Sequence, residues 1–184
     1  SDMAIQPNPW LDALQRQLAQ SGWRSVYRKS TATLALFSDS PIREFRPLEI
    51  PGGGEAVVAT IERDDGDLNL LLIDLPSRIA RHRDPSLAHV ESLITKYHPD
   101  LVIGDFNAVR QATRLQHLPR GYRHAYDEAG AGWSYTWPVP LPVLAIDQCL
   151  VGPRLEVREY VLVSGIGRMT SAFSRKFATG ATLP

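Results

Sequence analysis

The sequence predicts sheets covered by helices, an α+β or mixed α/β fold. Short apolar segments of strand length recur along the chain, helical periodicity appears in two places, and clusters of Gly, Pro and Asp punctuate the rest. A chain of 184 residues with 43% hydrophobic content suits one packed domain spanning residues 1–184.

The elements follow in order. Asn8-Pro9-Trp10 starts a helix, with Asn as cap and Pro at the first helical position. Trp10, Leu11, Leu14 and Leu18 recur at helical spacing and Gly22 stops the run. Strands are expected at Thr33–Phe37, Ala56–Ile61 and Leu68–Ile73. The last two flank Asp64-Asp65-Gly66-Asp67, a hairpin signal. Asp84-Pro85 opens a second helix whose buried stripe is Leu87, Val90, Leu93, Ile94 and Tyr97. Leu101-Val102-Ile103 reads as a fully buried strand. Residues 110–142 read as irregular. Leu144–Val151 and Leu155–Val163 read as strands joined by Gly152-Pro153, with a last strand near Phe173–Phe177.

Composition excludes several classes. Formal net charge is zero, so no global field recruits nucleic acid or an anionic membrane, and no strong nucleic-acid signal is present. Arg makes up 17 of the 20 basic residues, which suits bidentate phosphate contacts and also follows from genome composition. Cys149 is the single cysteine, which excludes an internal disulfide and a cysteine zinc site. No apolar run reaches the roughly 20 residues of a membrane helix. Ser1-Asp2-Met3 has the look of a cloning remnant, so a membrane anchor upstream stays open as an expectation.

The chemistry-bearing residues follow the strands. Asp105 and Asn107 come straight after a buried strand, two residues apart. A carboxylate and an amide held there can orient a water and donate to a phosphoryl oxygen. Gly-Asp-x-Asn is equally ordinary turn chemistry, and both readings stand. Asp147 lies inside an apolar strand, where a lone acid needs a partner or a function; an exposed strand edge is the alternative. Trp137 shapes a pocket rim or packs as plain core. Arg78, Arg81, His82 and Arg83 offer an anion contact or a solvated face.

Taken in order, these segments resemble the endonuclease/exonuclease/phosphatase superfamily. The resemblance rests on Gly104-Asp105-Phe106-Asn107-Ala108, Thr136-Trp137-Pro138 and Ile146-Asp147-Gln148-Cys149-Leu150-Val151. Phe37-Ser38-Asp39-Ser40-Pro41-Ile42 looks like that family's Ser-Arg-Tyr-Pro-Ile segment, and Leu71–Ser77 like its strand ending in His-Leu. It spans roughly Trp10 to Phe177. It implies a four-layer sandwich of two packed mixed β-sheets flanked by helices, with or without its first strand. It also implies metal-dependent cleavage of phosphoesters, with Asp105, Asn107 and Asp147 catalytic and Asp74, Arg78 and Trp137 contacting the ligand.

The departures from that pattern are severe. Gln6 is followed by Pro7 where a metal-holding Glu is expected. Asp74 replaces a histidine, Ser171-Ala172-Phe173 replaces Ser-Asp-His, Gln148 replaces the histidine of Ile-Asp-His, and Asp39 replaces an Arg. The resulting expectation is a pseudoenzyme, inactive or impaired, that keeps the fold to bind a phosphate-containing ligand or a partner protein, with no cofactor. The alternative is a divergent hydrolase using Asp105, Asn107 and Asp147 with Mg²⁺ or Mn²⁺. Asp74, Asp105 and Asp147, together with Asn107, either converge into an all-oxygen site that suits Mg²⁺ or Ca²⁺ or are inherited scaffold held by hydrogen bonds. A third reading places the missing Glu on a strand upstream of the chain. By analogy alone, the domain is expected outside the membrane of a bacterial cell, or otherwise in the cytoplasm.

Overall fold

A computed structural model describes residues 9–23, 26–77, 84–132, 134–138, 141, 143–163, 172–174 and 177–178. Arg78, Arg81, His82, Arg83 and Ser171 lie outside the described residues. The elements run α1 (Pro9–Gln20), β1 (Tyr27–Ser30), β2 (Ala35–Ser38), β3 (Ile42–Glu49), β4 (Glu55–Ile61), β5 (Leu68–Asp74), α2 (Asp84–Tyr97) and β6 (Leu101–Asp105). They continue with α3 (Thr113–Gln116), β7 (Arg123–His124), α4 (Ala125–Ala129), β8 (Gly130–Ala131), β9 (Asp147–Val151), β10 (Glu156–Val157), β11 (Tyr160–Val163), β12 (Ala172–Ser174) and β13 (Phe177–Ala178).

A six-stranded mixed sheet in the order β3-β4-β5-β6-β9-β7 forms the spine. Alternation along its strands sorts the apolar side chains to two faces. On one face Ala56, Val58, Leu71, Ile73, Val102 and Leu150 pack against Leu87, Val90, Leu93 and Ile94 of α2. On the other, Val57, Ala59, Leu70, Leu72, Leu101, Cys149 and Val151 pack against Leu36 of β2, Val157 of β10 and Tyr160 of β11. That second layer consists of smaller sheets: β1-β2, β10-β13 and β12-β11-β8. α1 lies outside β1, held by an Arg28–Asp12 ion pair and by the Gln15 amide on the Val26 carbonyl. The arrangement is the sandwich the sequence led us to expect.

The differences from the sequence reading have physical causes. β1 and β3 are additional strands. β3 forms the sheet edge, so it carries Arg43, Glu44 and Arg46 in place of apolar alternation and tolerates Pro47 opposite Val57. Residues 110–142 are not wholly irregular, since they contain α3, β7, α4 and β8. Residues 144–146 are not strand: the Ile146 amide donates to the Thr136 hydroxyl instead of to a ladder carbonyl (3.3 Å). Leu155–Val163 divides into β10 and β11. Neither pairs with β9, whose partners are β6 and β7. The last expected strand resolves into β12 and β13.

Candidate active site

Strand register assembles the site. Asp74 on β5 is the Cα partner of Asp105 on parallel β6, and Asp105 is the partner of Asp147 on antiparallel β9. Directly paired residues project to the same face, so three aspartates stand at one level at one end of the sheet. The row has a fourth member that sequence reasoning missed: Glu55 on β4 is the partner of Asp74. Nothing near Glu55 in sequence marks it, because its neighbours across the sheet are set by register alone. Its Oε2 accepts hydrogen bonds from Thr31 (2.6 Å) and Thr33 (2.7 Å), which ties the β1–β2 turn to this end of the sheet.

Asp105 and Asn107 form a closed turn. The Asn107 amide N–H donates to Asp105 Oδ1 at 2.7 Å, and Asn107 Nδ2 donates to Asp105 Oδ2 at 3.1 Å and to the Leu75 carbonyl at 2.6 Å. Asn107 is buried and left-handed, with φ of 45°, a conformation Asn accepts more readily than most residues. Two backbone bonds fix the same turn: Leu75 N–H to Asp105 O (2.8 Å) and Phe106 N–H to Ile146 O (3.0 Å). Phe106 is fully buried below it. Gly104 is required by contact. Its φ is 148°, and a Cβ there would lie 1.9 Å from the Ile73 carbonyl oxygen. Both sequence readings of this segment therefore hold at once: it is a hydrogen-bonded turn, and it sits within the acidic row.

Asp147 is held from the other side. Thr136, buried, accepts from the amides of Ile146 (3.3 Å) and Asp147 (3.4 Å). Burial raises the Asp147 carboxyl above the ordinary carboxylate range, and hydrogen bonding with Thr136 partly opposes this. The crevice behind it, shared with Arg110, Tyr126, Ser134 and Tyr160, measures about 10 Å³, room for a single water and too small for a phosphate. Trp137, next to Thr136, is 47% exposed and bridges Leu144. With Tyr135, Leu141 and Val143 it forms an exposed apolar rim, in a stretch with no charged residue between Glu128 and Asp147.

Other candidates lie elsewhere. Asp39 borders a separate open cleft with Arg43, Glu62 and Asp67 at the far end of β4. His124 is buried, its Nε2–H donates to the Leu115 carbonyl at 2.7 Å, and burial lowers its pKa. His117 is exposed and bonds the Thr113 carbonyl. The carboxylate donors are all oxygen, which suits Mg²⁺ or Mn²⁺. Among the described residues, however, no three His, Cys, Asp or Glu side chains are grouped to hold a metal ion. As placed, these residues do not fit one.

The Endonuclease/Exonuclease/phosphatase family profile matches residues 6–174. The chain belongs to that family. No curated protein sequence matches it, but solved structures do. D. rerio TDP2 complexed with a single-strand DNA product is 14% identical with a TM-score of 0.61, over 88% of this chain and 77% of that one. The human Nocturnin catalytic domain with bound sulfate is 15% identical with a TM-score of 0.57, over 81% and 68%. The mannosyl-6-phosphatase Bt3783 of Bacteroides thetaiotaomicron is 13% identical with a TM-score of 0.57, and this chain spans 60% of its length. At such identities the likeness shows the fold.

Proposed function

We propose that this domain is a degenerate member of its family, catalytically inactive or strongly impaired, that uses the inherited site to bind a phosphate-containing ligand or a partner protein. The observation that carries the proposal is the closed Asp105–Asn107 turn. The Asn107 side-chain amide, the donor expected to meet a phosphoryl oxygen, is committed to Leu75 O and Asp105 Oδ2. Measured against the family's pattern, the groups that move protons are replaced: Asp74 is a carboxylate in place of an imidazole, and Phe173 has no exchangeable side-chain proton. Each such loss typically costs about 10²–10⁴ in rate, and the losses do not simply add.

One observation favours a second reading, a divergent metal-dependent hydrolase using Asp105, Asn107 and Asp147. It is the shared level of Asp74, Asp105 and Asp147 on three adjoining strands. The neighbours named as a phosphatase and as TDP2 with DNA product suggest where to look for substrates. Assays of bis-p-nitrophenyl phosphate, sugar phosphates and single-stranded DNA with Mg²⁺, Mn²⁺ and Ca²⁺ should show no turnover above blank. Cleavage that disappears in Asp105→Ala would replace the first reading with the second.

A further inference from the structure

We propose that Gln148 is the positioning residue of the candidate site, its amide clipping the loop that follows Asp105 and Asn107 to the segment that leads into Asp147. Gln148 sits in β9 directly after Asp147, and its Cα partner is Gly104. It is 3% exposed. Its Nε2 donates to the Ala108 carbonyl at 2.9 Å and to the Ala145 carbonyl at 2.7 Å. Ala108 follows Asn107, and Ala145 lies two residues before Asp147. Each half of the acidic pair is thus anchored, within three residues, to the same nitrogen atom.

The surroundings explain why an amide is needed. Neither carbonyl belongs to a strand, because β6 ends at Asp105 and β9 begins at Asp147. Sheet pairing fixes the Cα atoms of Asp105 and Asp147, but it does not fix the loops on either side. Among the described residues the two loops are also joined by the Phe106 N–H to Ile146 O bond (3.0 Å). A neutral imidazole, the group suggested here by the family resemblance, has one N–H and cannot donate to two carbonyls from one atom. A primary amide can. The change to Gln exchanges a titratable ring for a fixed double donor. The inference concerns where the carboxylates are held, so it stands for an active or an inactive domain.

Amide hydrogen exchange by NMR on the whole domain tests this. In the native protein the two side-chain amide protons of Gln148 should exchange far more slowly than those of a free carboxamide; free-amide rates would overturn the proposal without any variant. Gln148→Met keeps the bulk and removes both donors. It should speed exchange at the Phe106 and Asn107 amides by about tenfold or more, with Leu71 and Val102 changed far less. Gln148→Glu keeps the shape as well and should lose the same local protection as pH rises and its carboxyl ionises against two carbonyls. Val157→Ala, a comparable core loss away from the loops, should leave the difference between the two groups of amides unchanged. Uniform acceleration in Gln148→Met, matching Val157→Ala, would mean that Gln148 only fills space.

Discussion

The Asn107 side chain reaches back to Asp105 and across to Leu75, donating to Asp105 Oδ2 at 3.1 Å and to the Leu75 carbonyl at 2.6 Å. The turn thereby joins the ends of β5 and β6 and does not hang free as a loop. Replacing Asn107 by Ala removes both bonds, leaves a buried carbonyl unmet and keeps the left-handed backbone with a residue less suited to it. Chemical denaturation should show a loss of about 2–4 kcal/mol. Asn107→Gly should lose less, because Gly accepts φ of 45° without strain.

Gly104 has less freedom still. A methyl group would meet the Ile73 carbonyl oxygen at 1.9 Å, and the residue's φ of 148° strains any side chain even where there is space. Gly104→Ala should fail to give a folded protein, or fold with a loss above about 3 kcal/mol, read as a collapse of soluble yield and of the thermal transition. Normal folding would show that the β5–β6 spacing is wrong.

The buried Asp147 carboxyl predicts a pH effect of definite sign. Its folded pKa is raised, so the unfolded chain releases this proton first as pH increases. Below the ordinary value of about 4 the group is neutral in both states and costs nothing. From there up to its folded value, wild-type stability should fall. Asp147→Asn cannot ionise, so its stability relative to wild type should improve from pH 3.5 to pH 7 in urea titrations. A variant that loses ground over that range would mean the charged form is favoured in the fold.

Thr136 and Trp137 are neighbours with opposite expected outcomes. Thr136→Val removes the acceptor for the Ile146 and Asp147 amides in a buried position and should cost about 1–3 kcal/mol. Trp137→Ser changes a side chain already 47% exposed and should alter stability by less than about 1 kcal/mol. If Trp137 contacts the ligand, its loss should nonetheless weaken binding.

Much of the frame was legible in the sequence. Helices α1 and α2, the β4–β5 hairpin and the buried core of β6 follow from local periodicity and turn residues, and the ordered segments around Asp105, Trp137 and Asp147 pointed to the family. The edge strand β3 was not legible, because Arg43, Glu44, Arg46 and Pro47 break the apolar alternation that marks a strand. Nor were residues 144–146, where a threonine hydroxyl captured an amide that the pattern had assigned to a ladder.

The sequence by itself determined which groups this protein has to work with: three aspartates and an asparagine at strand ends, glutamine and phenylalanine where proton-carrying side chains are expected, and enough apolar segments to build a core. Only the tertiary structure decided how they meet. Register brought Glu55, Asp74, Asp105 and Asp147 to one level, although residues 55 and 147 lie far apart in the chain. Close approach of β5 to β6 made Gly104 obligatory, and one buried amide at Gln148 tied two loops together. Pairing across a sheet depends on long-range register and on where each strand stops, and neither is encoded in the local periodicity that reveals the strands.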